Sequence, residues 1–191
     1  MRKSTVFAIL GGMWMMAGCG PSREKVVNQI ETMEKNLFAP DAVSFNKQKA
    51  DSLLSLYDTF VKKYPKDSLA PAFLFKAANI EMNSGDGPGA LKHFDQYLQD
   101  YSDKSKAALC LFFKAFIYEN IMQDLDKARE TYLLFIEKYP TDDFTKDAKM
   151  AIKNLGKSPD MLIREFEAQN KTDSILRADS MANIKKSKKH S

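Results

Sequence analysis

Ala151, then four residues, then Gly156-Lys157-Ser158 is a spacing at which a turn's backbone and a lysine can cradle nucleotide phosphates, alanine standing for the first glycine. Few other residues in the chain offer chemistry. The two histidines, His93 and His190, stand far apart, and no HExxH, CxxC or Gly-x-Ser-x-Gly arrangement occurs. His93 precedes an aromatic in a helical pattern and is expected to be exposed. The stretch Asn83 to Gly89, "NSGDGPG", lacks the spaced carboxylates and distal glutamate of a calcium loop, so a flexible turn between helices is expected. Cys110 lies inside an apolar run, which predicts a buried free thiol. Catalysis is therefore not expected, nor is a cofactor or a metal; a phosphate-loop NTPase is the distant alternative.

That alternative makes a structural demand. A working phosphate loop follows a strand and opens a helix, so that backbone amides wrap the phosphates. Here Ala148, Ala151, Ile152 and Leu155 recur at three- and four-residue spacing, which predicts a helix before the turn. Gly156 suits the left-handed residue that ends a helix. Ser158, Pro159 and Asp160 then read as the N-cap, first-turn proline and dipole-matched acid of the next one. The string is expected to be a joint between helices.

The 191 residues suit one domain with appendages, and 44% hydrophobic with 11% aromatic content is enough for a packed core. The net charge of +4 is unevenly placed. Residues 171–191 hold Lys171, Arg177, Lys185, Lys186, Lys188 and Lys189 against Asp173 and Asp179, and this segment is expected to be a basic, flexible, solvated tail. No nucleic-acid partner is expected.

At the other end Arg2 and Lys3 precede an apolar run from Val6 to Met16, too short for a comfortable membrane span and shaped like a secretory signal. Met16-Ala17-Gly18-Cys19 resembles the lipobox of bacterial lipoproteins, with methionine where leucine is usual. The resemblance implies removal of residues 1–18 and attachment of acyl chains, palmitate among them, to Cys19. Each buried methylene contributes about 0.8 kcal/mol, so two or more chains hold a protein stably on a membrane. Gly20 in place of aspartate, and no acidic cluster in "GPSREK", favour an outer-membrane anchor facing the periplasm.

Between the ends lies a repeat. "LYDTFVKKYPKD" from Leu56, "HFDQYLQDYSDK" from His93 and "TYLLFIEKYPTD" from Thr131 align at offsets of 37 and 38. Tyr57, Phe94 and Tyr132 correspond, as do Phe60, Tyr97 and Phe135, then Tyr64, Tyr101 and Tyr139. Ala90 and Ala128 each sit four residues before their aromatic, and "FLFKAANI" and "LFFKAFIY" form a second aligned pair. Two helical segments per period of this length predict an all-α helix-turn-helix solenoid. The small alanine lets paired helices approach, and the aromatics share the face that fills the next groove. Ala128, Tyr132, Phe135 and Pro140 resemble the second helix of a tetratricopeptide repeat (TPR). Ala90, Phe94, Tyr97 and Ser102 repeat it, and Leu53, Tyr57, Phe60 and Pro65 give a degenerate copy. The long period and "YP" ends resemble the BamD-like lipoproteins of outer-membrane β-barrel assembly and the Tol-Pal-associated periplasmic TPR proteins.

The expected plan is a signal peptide over 1–18, then anchor, linker and N-terminal helix over 19–45. About two and a half repeats fill 46–157, followed by a capping helix over 158–170 and the tail. Val27, Ile30, Met33 and Leu37 mark the buried face of the N-terminal helix, and Leu162, Ile163 and Phe166 that of the cap, because a bare solenoid end leaves apolar surface in water. The segment Ala108 to Tyr118 has almost no polar face. Burial all round is one reading; the other places Phe112 and Phe116 in a partner-binding groove, with Lys76 and Glu119 at its rim. The function expected is a lipid-anchored envelope scaffold with a protein partner, in outer-membrane assembly or, alternatively, as a cell-wall and division adaptor.

Overall fold

The computed structural model describes residues 21–39 and 45–189; the expected signal peptide and Cys19 lie outside them. Eight helices and no strand occur among the described residues: α1 Arg23–Leu37, α2 Lys47–Lys63, α3 Ala70–Asn83, α4 Gly87–Asp100, α5 Ala107–Asn120, α6 Leu125–Lys138, α7 Thr145–Asn154 and α8 Pro159–Lys189. The chain divides into two compact units, residues 1–56 and 57–191.

In the first unit Ser22 caps α1, its hydroxyl accepting from the Lys25 N–H at 3.4 Å. Val26, Ile30 and Leu37 are the buried residues of α1, while Val27 and Met33 are only half-buried. The buried face of α1 therefore lies a fraction of a turn from the expected one. Val26, four residues before Ile30, belongs to the face in place of Val27.

The second unit is built on the repeated aromatics. Tyr57, Phe94 and Tyr132, and Phe60, Tyr97 and Phe135, are all buried, as are Ala90 and Ala128. Rings from α3 and α5 bridge them. Phe73 lies 5.3 Å from Tyr57 and 4.9 Å from Phe60, centroid to centroid; Phe94 stands 5.9 Å from both Phe75 and Phe113; Phe112 is 5.6 Å from Phe135. Each buried ring contributes about 1.5–3 kcal/mol through lost apolar surface, so this ladder is the main cohesive element.

Turns recur with the same period. The Asp67 N–H donates to the Tyr64 carbonyl at 3.0 Å, Lys104 to Tyr101 at 3.0 Å, and Asp142 to Tyr139 at 3.2 Å. The Asp67 and Asp142 carboxylates then accept from the Leu69 and Phe144 amides at 2.9 and 3.0 Å. Asp86 and Asp124 cap α4 and α6, accepting from Gly89 and Lys127 amides at 3.0 and 3.1 Å. The stretch expected as a flexible turn is therefore tight. Only Ser84, Gly85 and Asp86 separate α3 from α4, and Gly85 takes the positive φ of 82° that the reversal requires.

The "GKS" string is the joint between α7 and α8. Gly156 has φ +80°, the Lys157 N–H donates to the Asn154 carbonyl at 3.0 Å, and the Ser158 hydroxyl accepts from the Met161 N–H at 3.3 Å. Ala151 lies within α7, half-buried against the cluster of Leu111, Ala115, Tyr132 and Phe135. A helix stands where a phosphate loop needs a strand.

Beyond this joint the structure departs from expectation. Helix α8 does not stop near residue 170 but runs on to Lys189, through the segment expected to be a flexible tail. Its apolar residues do not close the stack either: Ile163 is 55% exposed and Phe166 67%, and only Leu162 among the three is half-buried. The root of α8 is held by the Lys157–Glu165 ion pair at 2.7 Å.

Candidate partner-binding surface

Helix α5 supplies most of the candidate surface. Cys110, Leu111, Ala115 and Ile117 are buried, so the apolar sequence is mainly a buried helix. Phe112, Phe116 and Glu119 fall on one side of it by their four- and three-residue spacing. Their surroundings separate them. Phe112 is ringed by Tyr132 at 5.7 Å, Phe135 at 5.6 Å and Phe144 at 4.9 Å and packs, half-buried, against the core. Phe116 is 40% exposed and is the ring of the expected groove that faces solvent. Glu119 is half-buried and accepts the Tyr132 hydroxyl hydrogen bond at 2.9 Å. Burial, and this carboxylate beside it, push the Tyr132 phenol above its ordinary range. Lys76, exposed on α3, lies 5.8 Å over the Phe73 ring.

A second concavity involves residues of α4 and α5. An open groove of about 640 Å³ is lined by Leu91, Lys92, Gln96, Tyr118, Met122 and Lys127 among others. The Lys127 ammonium sits 5.7 Å from the Tyr118 ring centroid and 2.8 Å from Asp124. The lining mixes apolar side chains with two lysines, two glutamines and the Asp95 carboxylate.

The residue most misjudged from sequence is His93. It is 3% exposed, not on the surface. Its Nδ1–H donates to Glu81 Oε2 at 2.5 Å and its Nε2–H to Asp58 Oδ1 at 2.9 Å, joining α4 to α3 and α2. Two carboxylates facing two ring nitrogens require both nitrogens to be donors, which only the imidazolium provides. Burial pushes the His93 pKa down, but the hydrogen bonds and charges of Asp58 and Glu81 outweigh it and raise the value to about 9. The His93 hydrogen bond in turn holds the Asp58 carboxyl below its ordinary value. A doubly donating ring has no free lone pair to take a proton, so His93 acts here as a staple between helices.

The staple is a variation on the repeat. Glu119 stands 38 residues after Glu81, and Asp95 stands 37 after Asp58. At the later positions the carboxylates find other partners: Glu119 takes the Tyr132 hydroxyl, and Asp95 pairs with Lys114 of α5. Equivalent acids are thus satisfied by local substitutes where no histidine is present.

Cys110 is the free cysteine among the described residues; burial pushes its thiol up to about 12, which leaves it protonated and inert. No group of three or more His, Cys, Asp or Glu side chains placed so that they could hold a metal ion occurs among the described residues. Nor is any helix among them long and apolar enough to cross a membrane.

Comparison with known proteins bears on the repeat. Residues 110–142, which span most of α5, all of α6 and the start of the following turn, match the tetratricopeptide repeat family model. No curated protein matches the chain. The match falls on the copy whose Ala128, Tyr132 and Phe135 are buried in the frame described above, and the chain is accordingly a TPR-containing protein.

Proposed function

We propose that this protein is a non-enzymatic scaffold, held on the cell envelope by lipid at Cys19, that receives a protein partner on its repeat array. The observation that carries the proposal is the TPR match over 110–142 in a stacked all-helical array, since such repeats generally serve protein–protein interaction. The envelope part rests on sequence: a basic start, a short apolar run and the lipobox-like Met16-Ala17-Gly18-Cys19. Phe116 is the proposed contact residue, with Glu119 one turn further along α5 and Lys76 of α3 as further candidates. Attachment to the outer membrane facing the periplasm, with a role in assembling its proteins, is the specific setting proposed.

Two measurements test this reading. Feeding cells a palmitate analogue labels wild type and spares Cys19→Ala; equal labelling removes the anchor. Crosslinking in intact cells followed by purification recovers a reproducible envelope protein; recovery of none removes the scaffold.

A further inference from the structure

His93 is held unequally by its two acids. Glu81 is enclosed: its side chain is 11% exposed, and its Oε2 accepts from the ring Nδ1–H at 2.5 Å. Its other oxygen, Oε1, lies against Gly89 of α4. A Cβ at that position would stand 2.8 Å from Oε1 and 2.7 Å from Asp86 Oδ2, so the absence of a side chain there leaves the Glu81 carboxylate its room. Asp58 is the open partner, its side chain 51% exposed while it accepts from Nε2–H at 2.9 Å. The hydrogen bond and charge of His93, and then the charge of Lys92, hold the Asp58 carboxyl below its ordinary value against the opposing effect of burial. Lys92 is exposed on α4 beside His93, so Asp58 has a second cation at hand. The charges acting on the ring itself are those of Asp58 from α2 and Glu81 from α3; Lys92 and Asp86 of α4 stand next to the acids.

Both ring nitrogens donate while the imidazole is charged. The neutral ring keeps one N–H, and its other nitrogen then turns a lone pair towards a carboxylate. The proton stays on the nitrogen whose acid is costlier to leave without a donor. An enclosed carboxylate loses far more in that position than one that can turn to water or to another cation. Glu81 has neither outlet, boxed in by Gly89 and the Asp86 carboxylate. Asp58 has both, in solvent and in Lys92.

We infer that the staple is a one-sided latch: when His93 loses its proton the neutral ring keeps Nδ1–H on Glu81, and Asp58 lets go. Helices α3 and α4 stay joined, and the tie to α2 is the one that opens. The contacts of Tyr57 and Phe60 with Phe73 remain, so the release loosens α2 without separating it from α3. With the His93 value raised from 6.5 to about 9, the latch is shut at neutral pH and opens as the pH rises through about 9.

The test is nitrogen-15 NMR of the full chain in detergent micelles, labelled at histidine and carrying His190→Gln so that one imidazole reports, from neutral pH to well above 9. The expected alkaline state has a protonated Nδ1 and a bare Nε2. The carbon-13 shift of the Asp58 carboxyl then moves to that of a free aspartate, and that of Glu81 moves less. Glu81→Gln and Asp58→Asn, each checked for unchanged helicity, lower the titration midpoint by about one unit or more, since each removes a negative charge beside the ring. They differ in tautomer: Glu81→Gln leaves Asp58 as the remaining carboxylate and moves the proton to Nε2, whereas Asp58→Asn keeps it on Nδ1. If a variant fails to fold, the wild-type tautomer decides alone. An Nε2–H ring or an even mixture in the wild type overturns the inference. So does a ring that stays doubly protonated throughout, or one tautomer shared by both variants.

Discussion

His93 donates through Nε2 to Asp58, 35 residues earlier in the chain, at 2.9 Å, while its other nitrogen is held by Glu81 at 2.5 Å. One imidazolium thereby ties three helices together at the point where the second repeat stacks on α2. The consequence for stability is direct. His93→Ala leaves two carboxylates facing one another without a cation. The expected loss is about 2 kcal/mol, below the cost of breaking a fully buried pair because the Asp58 side chain is half exposed. Urea denaturation followed by circular dichroism measures it, and an unchanged midpoint would show the staple to be dispensable.

The same cluster sets a pH dependence. The His93 pKa is raised in the fold from an ordinary 6.5 to about 9. Its contribution is therefore complete below about 6.5 and is lost as pH rises through about 9. Asp58, whose value is lowered, acts in the other direction: its contribution is present above its ordinary 3.8 and is lost as the solution is acidified below that. Thermal melting from neutral pH to above pH 9 should show a fall in wild type that is much reduced in His93→Gln.

Phe135 and Phe116 stand on neighbouring helices, one fully buried and one 40% exposed. Phe135→Ala removes a ring from the ladder and is expected to cost about 3–5 kcal/mol. Phe116→Ala is expected to cost less than about 1 kcal/mol while reducing capture of the partner. Paired denaturation and pulldown experiments separate packing from binding, and a large stability loss at Phe116 would move that ring into the core.

Gly156→Val places a β-branched side chain at φ +80°, where its Cβ would stand 3.2 Å from the Leu125 Cδ1. A loss of about 1–3 kcal/mol follows from the strain. Calorimetry with ATP is expected to give no binding in either wild type or variant. Micromolar ATP binding by the wild type would reinstate the phosphate-loop reading of "GKS".

What was legible in the sequence follows from how far apart the interacting residues are. The aromatic frame, the alanines and the Gly156 joint announce themselves through spacing within one helix or across one period, and the structure buries or caps each of them as expected. The burial of His93 is not legible in the sequence because its partners lie 12 and 35 residues away on other helices, where no local pattern points to them. The equivalence of Glu81 with Glu119 was visible in the alignment of the two helices, and it was the available hint that an acid there needs a partner. The length of α8 was missed for a different reason. Its charges are spread around the helix, so the segment carries little amphipathic signal to set it apart from a solvated tail. Phe112 and Phe116 share a helix side, and only the rings of Tyr132, Phe135 and Phe144 around Phe112 distinguish core from surface.

Engagement of a protein partner by the exposed side of the repeat array is tested by a photo-activated crosslinking residue at position 116 of the full chain in living cells. The expected result is one reproducible envelope protein captured from position 116 and absent from a control probe at the exposed Lys62. Capture of the same background from both positions, or of nothing from either, would show that this side of the array has no protein partner.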